Sequence, residues 1–102
     1  MTTEQVRWLE AHIGAAPPAL RSRILERALA QLPADDLALG LARTGEQLLR
    51  EVEQHPGDRR TALDLLAADA LITLSLLAQA ELTPGGLDDF AVEVLRATSG
   101  AA

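Results

Sequence analysis

Two aspartates set in an apolar stretch are the residues best placed to do chemistry. Asp64 and Asp69 interrupt DRRTALDLLAADALITLSLLAQAEL, residues 58–82, the longest apolar run in the chain. A carboxylate buried there, ionised and alone, costs several kcal/mol even after the surroundings relax. If the two are buried, arginines must answer them, and Arg21, Arg43, Arg59 and Arg60 are the candidates. Thr73, one turn beyond Asp69, can donate its hydroxyl to that carboxylate. Asp64, Asp69, Thr73 and Arg21 are therefore the expected ligand-binding set, with carboxylates and a guanidinium in a core pocket. The competing expectation is structural: a partly exposed polar strip, or a buried pair that fixes helix register.

A second group is Glu51, His55 and Asp58, a carboxylate, an imidazole and a carboxylate near one helix end. Divalent metals use such ligands. Helical di-iron sites, however, need Glu-x-x-His on paired helices with further glutamates, and that spacing is absent. A protonated His55 at a helix C-terminus is favourable on dipole grounds alone. The expectation is no metal, no cofactor and no catalytic residue, because no Ser–His–Asp set, Gly-rich phosphate loop or HExxH occurs. Gly85-Gly86 before a helix start is the kind of turn that binds anions, but most helix starts look like this.

The elements that must position these groups are helices. At about 100° per residue, Leu63, Leu66, Ala67, Ala70, Leu74 and Leu77 share one stripe of the 59–82 segment. Leu65, Ile72 and Leu76 lie nearly opposite, with Asp69 and Thr73 in one polar strip between them and Asp64, Ser75 and Gln79 in the other. A helix with two apolar faces must be covered on both, by the rest of its bundle or by another chain. As a membrane span, residues 62–80 barely cross roughly 30 Å of hydrocarbon. Each aspartate would add about 3 kcal/mol near the bilayer centre, so a buried soluble helix is expected and no membrane partner.

Four more helices are read around it, near 3–13, 18–32, 35–54 and 84–97. Thr2 and Gln5 have capping-box spacing, Val6, Leu9 and Ile13 make a thin stripe, and Gly14 stops the first helix. Trp8 and His12 lie off that stripe and four apart, so they stack on one another, or Trp8 anchors an interface. Pro17 and Pro18 open the second helix, with Leu20, Ile24, Leu25, Ala28, Leu29 and Leu32 inward and Arg23 and Arg27 outward. Arg21 falls within the apolar sector, where it either snorkels to solvent or pairs with a carboxylate. Asp35 or Asp36 caps the third helix, whose face is Leu37, Leu41, Leu48, Leu49 and Val52. Gly45 in the middle of that face costs about 1 kcal/mol relative to alanine and so points to a close helix crossing. Glu46 and Arg50 form a favourable surface pair. His55-Pro56-Gly57-Asp58 makes the next turn and cap. Thr83-Pro84 restarts the chain, Leu87, Phe90, Ala91, Val94 and Leu95 face inward, and the tail after Thr98 is expected to fray.

Composition narrows the class. Among 102 residues the apolar share is 48% but aromatics are only 2%, so the core is built from leucine and alanine, which suits helix packing rather than a sandwich or barrel. The net charge of -6 argues against nucleic acid, which needs a basic surface. All nine cationic residues are arginine. The absence of cysteine removes disulfides and thiolate chemistry, and the charged amino-terminal stretch lacks a signal-peptide core. The expected protein is a cytoplasmic, all-α, single-domain bundle of about five helices around a hydrophobic one. It is read as a non-catalytic interaction protein that forms a homodimer through Leu65, Ile72, Leu76 and Trp8, with a protein partner also possible. The alternative is a small ligand-binding or catalytic bundle with an Asp/Arg site in its core.

Overall fold

Breakers and caps divide the chain where their chemistry requires. In the computed structural model, which describes residues 3–31, 36–55, 57–82 and 84–100, α1 spans Thr3–Ile13, α2 Pro18–Gln31, α3 Leu37–Gln54, α4 Arg59–Leu82 and α5 Leu87–Gly100. Thr2, Leu32, Asp35, Pro56 and Thr83 lie outside the described residues. Gly14 follows α1 directly, and Pro18 is the first residue of α2. Asp36 caps α3 by accepting from the Leu39 N–H at 3.2 Å. Asp58 caps α4, its Oδ1 accepting from the Thr61 N–H at 2.7 Å. Pro84–Gly86 forms a single 3₁₀ turn rather than the first turn of α5. The last helix also runs on to Gly100 instead of ending near Ala97, with the Thr98 hydroxyl donating to the Val94 carbonyl at 2.9 Å.

The fold is all-α, a bundle in which α4 is central: it packs against α2, α3 and α5 and receives two side chains of α1. Its tightest neighbour is α3. A Cβ on Gly45 would sit 2.8 Å from Ile72 Cγ1 and 3.2 Å from the Ala68 carbonyl oxygen. The missing side chain is thus what lets the two backbones approach, as the glycine in the α3 face suggested. Leu37, Leu41 and Leu48 of α3 are buried as expected, with Ala38, Ala42 and Thr44 beside them. The Thr44 hydroxyl is satisfied by the Gly40 carbonyl at 2.8 Å, so burying it leaves no orphan donor.

Two helices are turned differently from the simplest apolar reading. On α4 the buried residues are Ala67, Ala68, Leu71, Leu74, Ser75, Ala78 and Gln79. One of the two polar strips therefore faces the core, while Leu66 and Leu77 of the expected buried stripe are exposed. Small side chains explain it. Alanine and serine admit close neighbours, and the Ser75 hydroxyl meets its own helix at the Ile72 carbonyl, 2.6 Å away. On α2 only Ile24 and Ala28 are buried; Leu29 faces solvent, and Arg23 and Arg27, expected to point outward, turn toward α4 and α3. On α5 Val94 is buried, whereas Leu95 is exposed.

The Cα envelope measures 39 × 30 × 21 Å. Among the described residues α4 is covered on its inner side by α2, α3 and α5, while Leu65, Leu66 and Leu77 on the opposite flank stay exposed.

Candidate functional site

Two regions carry polar or apolar groups in excess of what the core needs. The first is a cleft of about 330 Å³ where the end of α3 and the start of α4 meet α2. Arg23 reaches across it from α2 to Asp64 on α4, Nε donating to Oδ1 at 2.6 Å and Nη2 to Oδ2 at 3.2 Å. Both side chains are nearly covered, 12% and 13% exposed. The two parallel bonds are the fork geometry in which arginine holds a carboxylate best. Arg27, one turn on, makes the same two-bonded pair with Glu51 of α3. The Arg27 guanidinium holds the Glu51 carboxyl below the usual carboxylate range. Arg23 and Arg27 are in turn raised, chiefly by hydrogen bonds to Asp64 and Glu51.

The turn between α3 and α4 forms the rim. Gly57 holds φ at 106°, a conformation that glycine adopts without steric cost. The Thr61 hydroxyl lies 2.6 Å from the His55 carbonyl and 2.9 Å from Asp58 Oδ1, tying the end of α3 to the start of α4. Asp58 is held below the usual carboxylate range, first by the Thr61 backbone N–H and then by the Thr61 hydroxyl. Exposed His55 and Arg60 complete the lining. Among the described residues no group of three or more His, Cys, Asp or Glu side chains is arranged to hold a metal ion. Chemically the cleft is organised by two answered charge pairs, Arg23 with Asp64 and Arg27 with Glu51.

The four residues expected to make a ligand site do not come together. Asp64 sits in the cleft, but its partner is Arg23, not Arg21. Arg21 instead donates to the Gly14 carbonyl at 3.3 Å and steadies the α1–α2 turn. Asp69 and Thr73 lie on the other side of α4, both exposed, and no hydrogen bond joins them or pairs either with another side chain among the described residues. Arg23 and Arg27 were the residues missed. Their i, i+4 spacing beside Ile24 and Ala28 was the available signal, since it puts two guanidinium groups along the edge of a buried face.

The second region is the outer side of α4. Leu65 is 49% exposed, Leu66 57% and Leu77 38%, with Ala62, Asp69 and Thr73 also exposed and Ile72 and Leu76 half-buried. The half-burial of Ile72 comes from its contact with Gly45. Trp8 lies elsewhere. It stacks on His12 with ring centroids 4.0 Å apart and donates from Nε1 to Glu81 at 3.1 Å. His12 Nδ1 donates to the Trp8 carbonyl at 2.7 Å, which aims Nε2 at Glu81, 3.4 Å away. Trp8 thus clasps α1 to α4. Among the described residues α4 is also the one helix long and apolar enough to cross a membrane, a property that core helices of soluble proteins share.

Comparison with known protein families, curated proteins and solved structures returns no match to this chain.

Proposed function

We propose that this protein is a non-catalytic helical interaction module that associates with a second copy of itself through the outer side of α4. One observation carries the reading: a helix packed tightly on its inner side presents Leu65, Leu66 and Leu77 to solvent on the other. Scattered exposed leucines need no explanation, but three on the uncovered side of one helix, with half-buried Ile72 and Leu76 beside them, make the kind of patch that marks an association surface. Closed two-fold pairs are the commonest assembly for a small chain. Light scattering across the micromolar range tests it. The wild type should show twice the 10.8 kDa chain mass, and Leu66→Glu should return the single-chain mass with its helical circular dichroism unchanged. A wild type that stays at single-chain mass at every concentration would sink the reading.

A second reading, a small-ligand bundle, rests on the cleft beside the Arg23–Asp64 pair, whose size is at the lower end for ligand sites. It ranks lower because Arg23, Arg27, Asp64 and Glu51 already satisfy one another. A thermal-shift screen of small charged metabolites, with His55→Ala as the control, separates the two.

A further inference from the structure

The outer side of α4 has a pattern that goes further than an apolar patch. Ala62, Leu66, Asp69, Thr73, Leu76 and Ala80 follow one another at alternating steps of four and three, the spacing of a seam at which two helices interlock. Ala62, Leu66, Asp69 and Thr73 are exposed, and Leu76 and Ala80 half-buried. The seam is symmetric when read backwards. Ala matches Ala at its ends, Leu matches Leu one step in, and the carboxylate of Asp69 matches the hydroxyl of Thr73 at its centre.

We propose that two copies pair through an antiparallel α4–α4 contact whose two-fold axis lies at the level of Leu71, with Asp69 of each copy accepting a hydrogen bond from Thr73 of the other. This rests on the self-association proposed above and specifies its geometry. Three features select the second copy, in this orientation, as the occupant. First, Asp69 and Thr73 are the two polar residues of the seam, and among the described residues neither side chain is engaged within its own chain. Antiparallel pairing gives each acceptor a donor, whereas parallel pairing sets Asp69 against Asp69 of the other copy, and like charges repel. Second, antiparallel pairing sets the two α4 dipoles against each other, whereas parallel pairing would align them. Third, Ala62 and Ala80 let the helix ends approach closely, as Gly45 does on the inner side. Polar positions in an apolar seam fix register and orientation at some expense in stability, which is the role this assigns to Asp69 and Thr73.

The chain has no cysteine, so engineered disulfides read the register directly. Ala62 and Ala80 are about 27 Å apart along one helix, far beyond the reach of a disulfide, so any bond between these positions joins two chains. Under mild oxidation the Ala62→Cys/Ala80→Cys double variant should run mainly as a covalent dimer, and each single variant should stay uncrosslinked. Crosslinking of Ala62→Cys alone would mean parallel pairing and overturn the inference while leaving self-association standing. A dimer by light scattering whose double variant does not crosslink would do the same, placing the contact on another face. A single-chain mass for the uncrosslinked protein would overturn both. So would co-flotation of a monomer with phosphatidylcholine vesicles, which would assign this face to lipid.

Discussion

The two sides of α4 are almost equally apolar in sequence and opposite in structure. The inner side holds Ala67, Ala68, Leu71, Ser75 and Ala78, all nearly or wholly sealed from solvent, while the outer side holds the larger Leu65, Leu66 and Leu77 in the open. Hydrophobicity therefore does not decide which side is covered. The α3 crossing does: alanines beside Leu71 and Leu74 admit α3 at Gly45, and Ser75 bonds to its own helix. Leu65, Leu66 and Leu77 are left over, and they form the surface assigned above to association.

The contrast can be broken experimentally. Leu71→Ala should have the largest effect, since Leu71 is fully buried and truncating such a leucine typically costs about 3 kcal/mol through lost burial and an unfilled cavity. Leu66→Ala, measured where the chain is monomeric, should stay within about 0.5 kcal/mol of wild type, as surface substitutions do. Urea unfolding of both variants checks the pair, and similar values for the two would erase the distinction between the faces. Gly45→Ala should come next. Helix propensity favours alanine by about 1 kcal/mol, but the new methyl meets Ile72 at 2.8 Å and α4 backbone at 3.2 Å. Overpacking of this kind costs about 2 kcal/mol, so the net change is a destabilisation, seen as a lower urea midpoint.

The smallest effect is expected in acid. Glu51 has its folded-state acidity strengthened by Arg27, so its ion pair contributes stability at pH values above the ordinary carboxylate range. That contribution is lost as pH falls through the depressed folded value. Glu51→Gln should therefore be less stable than wild type near neutrality, and the gap should close toward low pH. A gap of constant size across the titration would show that the pair carries no pH-linked stability.

Much of this arrangement was legible in the residues, for identifiable reasons. Gly45 announced a close crossing because a mid-helix glycine is otherwise unfavourable. Trp8 and His12 announced their stack through helical spacing, and Gly57 and Asp58 announced the turn and cap into α4. The facing of α2 was not legible. Its apolar residues fit more than one rotation about the helix axis, and the choice was made by Asp64 and Glu51, 41 and 24 residues away from their arginines. The inner face of α4 was hidden for a related reason. Both sides are apolar, so periodicity alone had no contrast to read. Among the candidate site residues, Glu51, His55 and Asp58 were seen as one group and Asp64 as another, and only the α3–α4 turn shows that all four border one cleft.

The hook between Thr61 and His55 has a consequence for how the chain assembles. A connection this short makes closing α3 onto α4 entropically cheap, whereas α1 must find Glu81 across 73 residues. Local contacts of this kind form early and distant ones late. The hairpin should thus collapse first and serve as the template, with the amino-terminal helix docking afterwards as its final piece.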